Sequence, residues 1–122
     1  MNEQEFKDRT KKLALRIIRL IEALPKNQTG EIIGRQLLRS GMSVGANYRA
    51  ACRGKSSADV INKLSIVEEE ADETAFWLEL IIDSGIRTET QIRPLLGEAG
   101  ELVAILASSR KSAVANRKSA IR

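Results

Sequence analysis

The chain has 122 residues, a formal net charge of +4, no histidine, one cysteine and four aromatic side chains. That length suits one domain able to bury about two thirds of its unfolded surface, and the lone Cys52 excludes an intrachain disulfide. Without histidine the commonest general base and metal ligand are missing, few aromatics argue against a base-stacking platform, and no apolar run approaches the roughly 18 to 20 residues of a membrane span.

Residues 3 to 24 read as a first helix, with Phe6, Leu13, Ile17, Leu20 and Leu24 on one seam and Ala14, Ile18 and Ile21 beside it. Pro25 and Asn27 end it. Another side carries Arg9, Lys12, Arg16 and Arg19 at spacings of three and four. That stripe is either a solvated face or a phosphate-contacting one.

Thr29 is expected to cap a second helix from about Gly30 to Cys52. Its inward stripe is Gly34, Leu37, Leu38, Gly41, Val44, Gly45, Tyr48, Ala51 and Cys52. Each glycine costs about 1 kcal/mol relative to alanine in a helix, so their clustering on one side predicts that a neighbouring helix passes unusually close. The outward stripe, Arg35, Arg39, Met42, Ala46, Arg49 and Arg53, is again cationic. Arg49, Arg53 and Lys55 could lower the pKa of Cys52, against the simpler reading of a buried structural thiol.

Ser56 or Ser57 caps a third helix that closes at Ser84-Gly85. Val60, Leu64, Val67, Ala71, Thr74, Leu78 and Ile81 form its bundle seam, and a second line, Ile66, Glu70, Glu73, Trp77 and Leu80, lies beside it. The second line serves either packing within the chain or an oligomer interface, in which Glu70 and Glu73 need cationic partners or a wet rim. Glu69 with Glu73 and Glu70 with Thr74 sit one turn apart, but the Glu-x-x-His pattern of a di-metal bundle cannot occur here. No metal or other cofactor is expected.

Thr88-Glu89-Thr90-Gln91 has a capping-box pattern and opens a fourth helix to about Arg110, with Ile92, Leu95, Leu96, Leu102, Val103, Ile105 and Leu106 as its apolar set. Pro94 lies too deep to be its first residue, so a kink or a separate short turn is expected there. Loops of about three to five residues favour an all-α, antiparallel up-down-up-down four-helix bundle. Residues 1–110 form this one domain and 111–122 a flexible basic tail bearing Lys111, Arg117, Lys118 and Arg122, next to Arg110. By segment, residues 1–55 hold 12 Lys/Arg against 5 Asp/Glu, residues 56–85 hold 1 against 8, and residues 86–122 hold 7 against 3. An acidic third helix is thus flanked by basic sequence, which attracts polyanions.

Two stretches, Arg39–Ser56 (RSGMSVGANYRAACRGKS) and Ala71–Leu80 (ADETAFWLEL), resemble the signatures of the bacterial four-helix-bundle family found in intervening sequences of large-subunit ribosomal RNA genes. The similarity covers about residues 5 to 110. It implies a homopentamer of bundles, related to the accessory protein of diversity-generating retroelements, which associates with a reverse transcriptase and binds nucleic acid. Members often carry an acid where this chain has Ala50, so any ion pair of that residue is absent. The signature looks structural: by the resemblance, Ser43, Gly45, Asn47 and Tyr48 mark the close helix crossing, Ser43 and Asn47 bond across it, and Trp77 packs nearby.

The expected function is therefore a non-enzymatic, cytoplasmic, oligomeric protein that meets RNA or DNA phosphates through Arg9, Lys12, Arg16, Arg19, Arg35, Arg39, Arg49, Arg53, Arg110, Lys111, Arg117 and Lys118. The alternative is a protein-interaction scaffold, such as an accessory subunit for a reverse transcriptase. An enzyme working through Glu69, Glu70 or Glu73 stands third.

Overall fold

The computed structural model describes residues 1–121, which form four helices and, among the described residues, no strand. They are α1 (Glu3–Glu22), α2 (Gln28–Cys52), α3 (Ser57–Asp83) and α4 (Glu89–Ile121). Each starts where a short polar side chain satisfies a first-turn N–H that the helix itself cannot. Asn2 accepts from the Glu5 N–H at 2.8 Å, Ser56 from Asp59 at 3.1 Å, and Thr88 from Gln91 at 3.3 Å while the Gln91 amide accepts the Thr88 N–H at 3.1 Å. That last pair is the reciprocal box its sequence predicts. The α2 cap is Asn27, which accepts from the Gly30 N–H at 2.9 Å, and not Thr29. Asn27 has the extended backbone of a capping residue, so the helix starts two residues earlier.

Consecutive helices pack on one another, α1 on α2, α2 on α3 and α3 on α4, whereas α1 meets α4 only over a short stretch. The core runs through all four: Phe6, Leu13, Ile17 and Leu24 from α1 and its end, Leu37 and Val44 from α2, Leu64, Val67, Leu78 and Ile81 from α3, and Ile92, Leu95, Leu102 and Leu106 from α4. Burial of each such side chain contributes about 1.5 to 3 kcal/mol. The α1–α2 contact is closest where α2 lacks side chains. A Cβ on Gly41 would run into Ile17 Cδ1, and one on Gly45 would lie 3.2 Å from Thr10 Oγ1. The glycine stripe thus marks the path of α1, as its clustering predicts.

Two points of the sequence reading concern α4. Of the two outcomes expected at Pro94 the separate turn is not seen, since Pro94 lies inside a continuous helix. Its ring has no N–H to give, but on the exposed side of α4 the orphaned carbonyl can bond water. Residues 111–120, read from sequence as a tail beyond the domain, are a helical continuation of α4. The apolar period does fade there, yet Ala113 still packs against the core and six of residues 111–120 are Ala, Lys or Arg, which favour helix.

Candidate nucleic-acid interface

The cationic stripes divide into side chains held by carboxylates and side chains facing water. Arg9 is held. Its guanidinium donates to Glu98 through Nε at 3.0 Å and through a terminal nitrogen at 2.5 Å, and lies 3.3 Å from Glu101, tying α1 to α4 across their short contact. The Glu98 hydrogen bond, outweighing burial, keeps its pKa raised. Arg39 bridges to α3, pairing with Glu70 at 3.2 Å and with Glu73. Arg110 pairs with Glu68 at 2.7 Å, and this bond raises its pKa too. Three of the cations proposed from sequence for phosphate contact are therefore brought to carboxylates of their own fold, because α2 and α4 flank the acidic α3 and α1 reaches α4.

The others look outward. Lys12, Arg19, Arg35, Arg49, Arg53, Lys111, Arg117 and Lys118 are exposed and Arg16 half-buried, and none has an ion-pair partner among the described residues. Arg35 stands with Lys26 near the α1–α2 connection. Arg49 lines a groove between α1 and α2 with Lys7, Lys11 and Met42, a space of about 380 Å³ left open by Ala14, Gly45 and Ala46.

The second line of α3 is partly absorbed by the same ion pairs. Glu70 and Glu73 hold Arg39, and Glu73 also accepts the Trp77 Nε1–H at 3.1 Å. Trp77 and Leu80 are half-buried, Trp77 against the core, and Ile66 is 36% exposed. The more prominent apolar group is Phe76, 49% exposed, its ring edge-on to Trp77 with centroids 5.1 Å apart. Phe76 lies off both apolar lines of the sequence, and its adjacency to Trp77 is the one signal there.

The signature around residues 40 to 48 bonds differently from what the resemblance implies. Ser43 Oγ donates to the Arg39 carbonyl at 2.8 Å and Asn47 Nδ2 to the Ser43 carbonyl at 2.9 Å, both within α2, so neither bonds across the crossing. One helical turn back along the same chain is simply the nearest acceptor. The cross-helix bond belongs to Ser40 and Thr74, both fully buried, with hydroxyls 3.1 Å apart. Gly45 does mark the close approach, against Thr10. Tyr48 packs on Phe6 with ring centroids 4.4 Å apart, and burial, with Cys52 and Glu3 beside it, pushes its phenol up to about 12. Burial and Glu3 push the Cys52 thiol up, opposite to the lowering that neighbouring arginines in sequence suggested. Among the described residues no three acidic or thiol side chains group as a metal site, and no helix is long and apolar enough to cross a membrane.

The fold and its sequential helix contacts define the class: an all-α protein of four helices, consistent with a four-helix bundle. Within that class, residues 2–108 match the model of the 23S rRNA-intervening sequence protein family, and the chain belongs to that family. It is similar to a protein of unknown function from the S23 ribosomal protein family of Bacteroides thetaiotaomicron VPI-5482, whose crystal structure at 1.70 Å superposes with a TM-score of 0.84 at 39% identity, covering 91% of this chain and 99% of that one. No curated protein matches.

Proposed function

We propose that this protein is a non-enzymatic, oligomeric helical bundle that binds the phosphate backbone of RNA or DNA through the outward cations of α1, α2 and α4. The observation that carries the reading is the division of the arginines. Arg9, Arg39 and Arg110 are paired with carboxylates of the fold, Arg39 at an exposed position, while Lys12, Arg19, Arg35, Arg49 and Arg53 are exposed without an acidic partner among the described residues. Cations kept apart from available carboxylates remain free to displace counterions from a polyanion. With two phenylalanines, one tyrosine and one tryptophan in the chain, sequence readout by stacking is not part of the reading.

Two finer features belong to it. The helices run antiparallel, up-down-up-down, a reading supported by Phe6 lying on Tyr48, Thr10 by Gly45 and Ser40 on Thr74. The bundles assemble with copies of themselves as a homopentamer, which would multiply weak phosphate contacts into effective binding. No step of chemistry is assigned to Glu69, Glu70 or Glu73, and the site of action is the cytoplasm.

Salt dependence tests the nucleic-acid reading. If about six phosphates are engaged, affinity for RNA or DNA is expected to fall by roughly three decades between 50 and 200 mM salt. Absence of binding at low salt, or a flat response, removes the reading. The exposed Phe76 beside Trp77 favours one second reading, a scaffold for a protein partner such as a reverse transcriptase. Capture of that partner would survive nuclease treatment, whereas a nucleic-acid bridge would not.

A further inference from the structure

The cations that sequence reasoning treated as separate, those after α2 and those near the chain's end, are brought to one end of the molecule. The turn from α2 to α3 and the last turns of α4 together line a groove of about 490 Å³, with Lys55, Ser57 and Val60 on one side and Ala113, Asn116 and Arg117 on the other. Its wall is fixed by backbone fit. Gly54 lets the turn lie directly on α3, since a Cβ there would collide with Val60 Cγ2 and sit 3.2 Å from the Val60 nitrogen. The opposite wall exists because α4 is helical past Arg110, which holds Arg117 alongside Lys55 and not on a loose end.

Cations outnumber acids at this end, where Glu3 of α1 lies beside Cys52 and pairs with Lys7 at 3.7 Å. Lys55, Arg117 and the nearby Arg53 and Lys118 are exposed and have no ion-pair partner among the described residues. The carboxylate next along the chain, Asp59, is occupied. It accepts the Lys55 backbone N–H at 3.0 Å and the Lys63 ammonium at 3.1 Å, and the first of these bonds lowers its pKa below the ordinary value. The groove contains no aromatic side chain, and its apolar side chains, Val60, Ala113 and Ala120, are small. A protein anchor would want an aromatic or a deep apolar pocket. Cations on two walls over a shallow floor instead suit a charged strand lying between them.

We infer that the groove between the α2–α3 turn and the end of α4 is the principal seat for a nucleic-acid phosphate backbone, gripped by Lys55 from one wall and Arg117 from the other. This rests on the nucleic-acid reading above and adds a polarity to it. The α2–α3 end binds first and tightest, while Arg19 and Arg35, toward the α1–α2 connection, add little. Contact is with phosphates, so base sequence has no effect on it.

The test compares two surface variants of the full chain on a short mixed-sequence RNA duplex, with circular dichroism confirming that each keeps its helices. Lys55→Gln/Arg117→Gln is expected to weaken binding and to make the plot of log affinity against log salt shallower by about 2, close to one unit per lost phosphate contact. Arg19→Gln/Arg35→Gln, with the same change in net charge, is expected to move the slope by less than half of that. If the second pair costs as much as the first, or more, the groove is not the seat, although nucleic-acid binding stands. If the unmodified chain fails to bind the duplex at low salt, the broader reading falls and this one with it.

Discussion

At the scale of single residues, the molecule's most constrained polar contact is Ser40 against Thr74. Both are fully buried, and each hydroxyl also lies near a carbonyl of its own helix, Thr74 at 2.8 Å from Glu70 O and Ser40 at 3.3 Å from Leu37 O. With one proton each, the two hydroxyls cannot make all three bonds, so one donates across the helices and the other back along its own. Thr74→Val, which keeps the shape and removes the hydroxyl, is expected to cost about 1 kcal/mol by removing the cross-helix bond and leaving Ser40 with its poorer acceptor. Adding Ser40→Ala should recover part of that loss, because two apolar partners leave nothing unsatisfied. Urea denaturation of the two single variants and the double one measures both numbers; equal and additive losses would show that the hydroxyls do not couple. Thr74 is legible in sequence as a seam position. Ser40 is not, since the α2 stripe runs through glycines and leucines and a serine directly after Arg39 reads as surface.

At the scale of the helix, caps and seams were the legible part. All seven α3 seam positions from Val60 to Ile81 lie inside or against the core, because a single periodic row has one way to bury itself. Ion pairing was illegible. A stripe of arginines looks the same whether a neighbouring helix carries acids or not, so in sequence Arg9, Arg39 and Arg110 cannot be told from the cations that the fold leaves unpaired. The length of α4 was hidden for another reason: a helix held partly by propensity and by one small contact at Ala113 leaves no apolar period to follow. Pro94 gives α4 its own test. It is exposed inside the helix, so Pro94→Ala restores a backbone N–H without touching the core. The variant is expected to gain up to about 3 kcal/mol, seen as a higher midpoint in urea; no gain would mean that the ring relieves some other strain in that turn.

At the scale of the whole molecule, charge is distributed as the sequence segments foretell. Glu68, Glu70 and Glu73 of α3 pair with Arg110 and Arg39, Glu69, Asp72, Glu79 and Asp83 stay exposed without an ion pair among the described residues, and the unpaired cations stand on α1, α2 and the end of α4. Self-association would then depend on the apolar ridge of α3 at Phe76 and Leu80. Multi-angle light scattering of the unmodified chain is expected to give a multiple of 13.5 kDa, with Phe76→Asp shifting it toward the single-chain mass. A single-chain mass at high concentration removes the homopentamer, and an unchanged assembly in the variant places its interface elsewhere.

The chain's one indole is Trp77, half in water, its N–H on Glu73 and its ring against the edge of Phe76. Anything that settles on that ridge dries the ring, and anything that pulls Arg39 from Glu73 alters the charge beside it. The protein therefore has a built-in optical gauge, whose emission colour reports on one surface patch without an added dye.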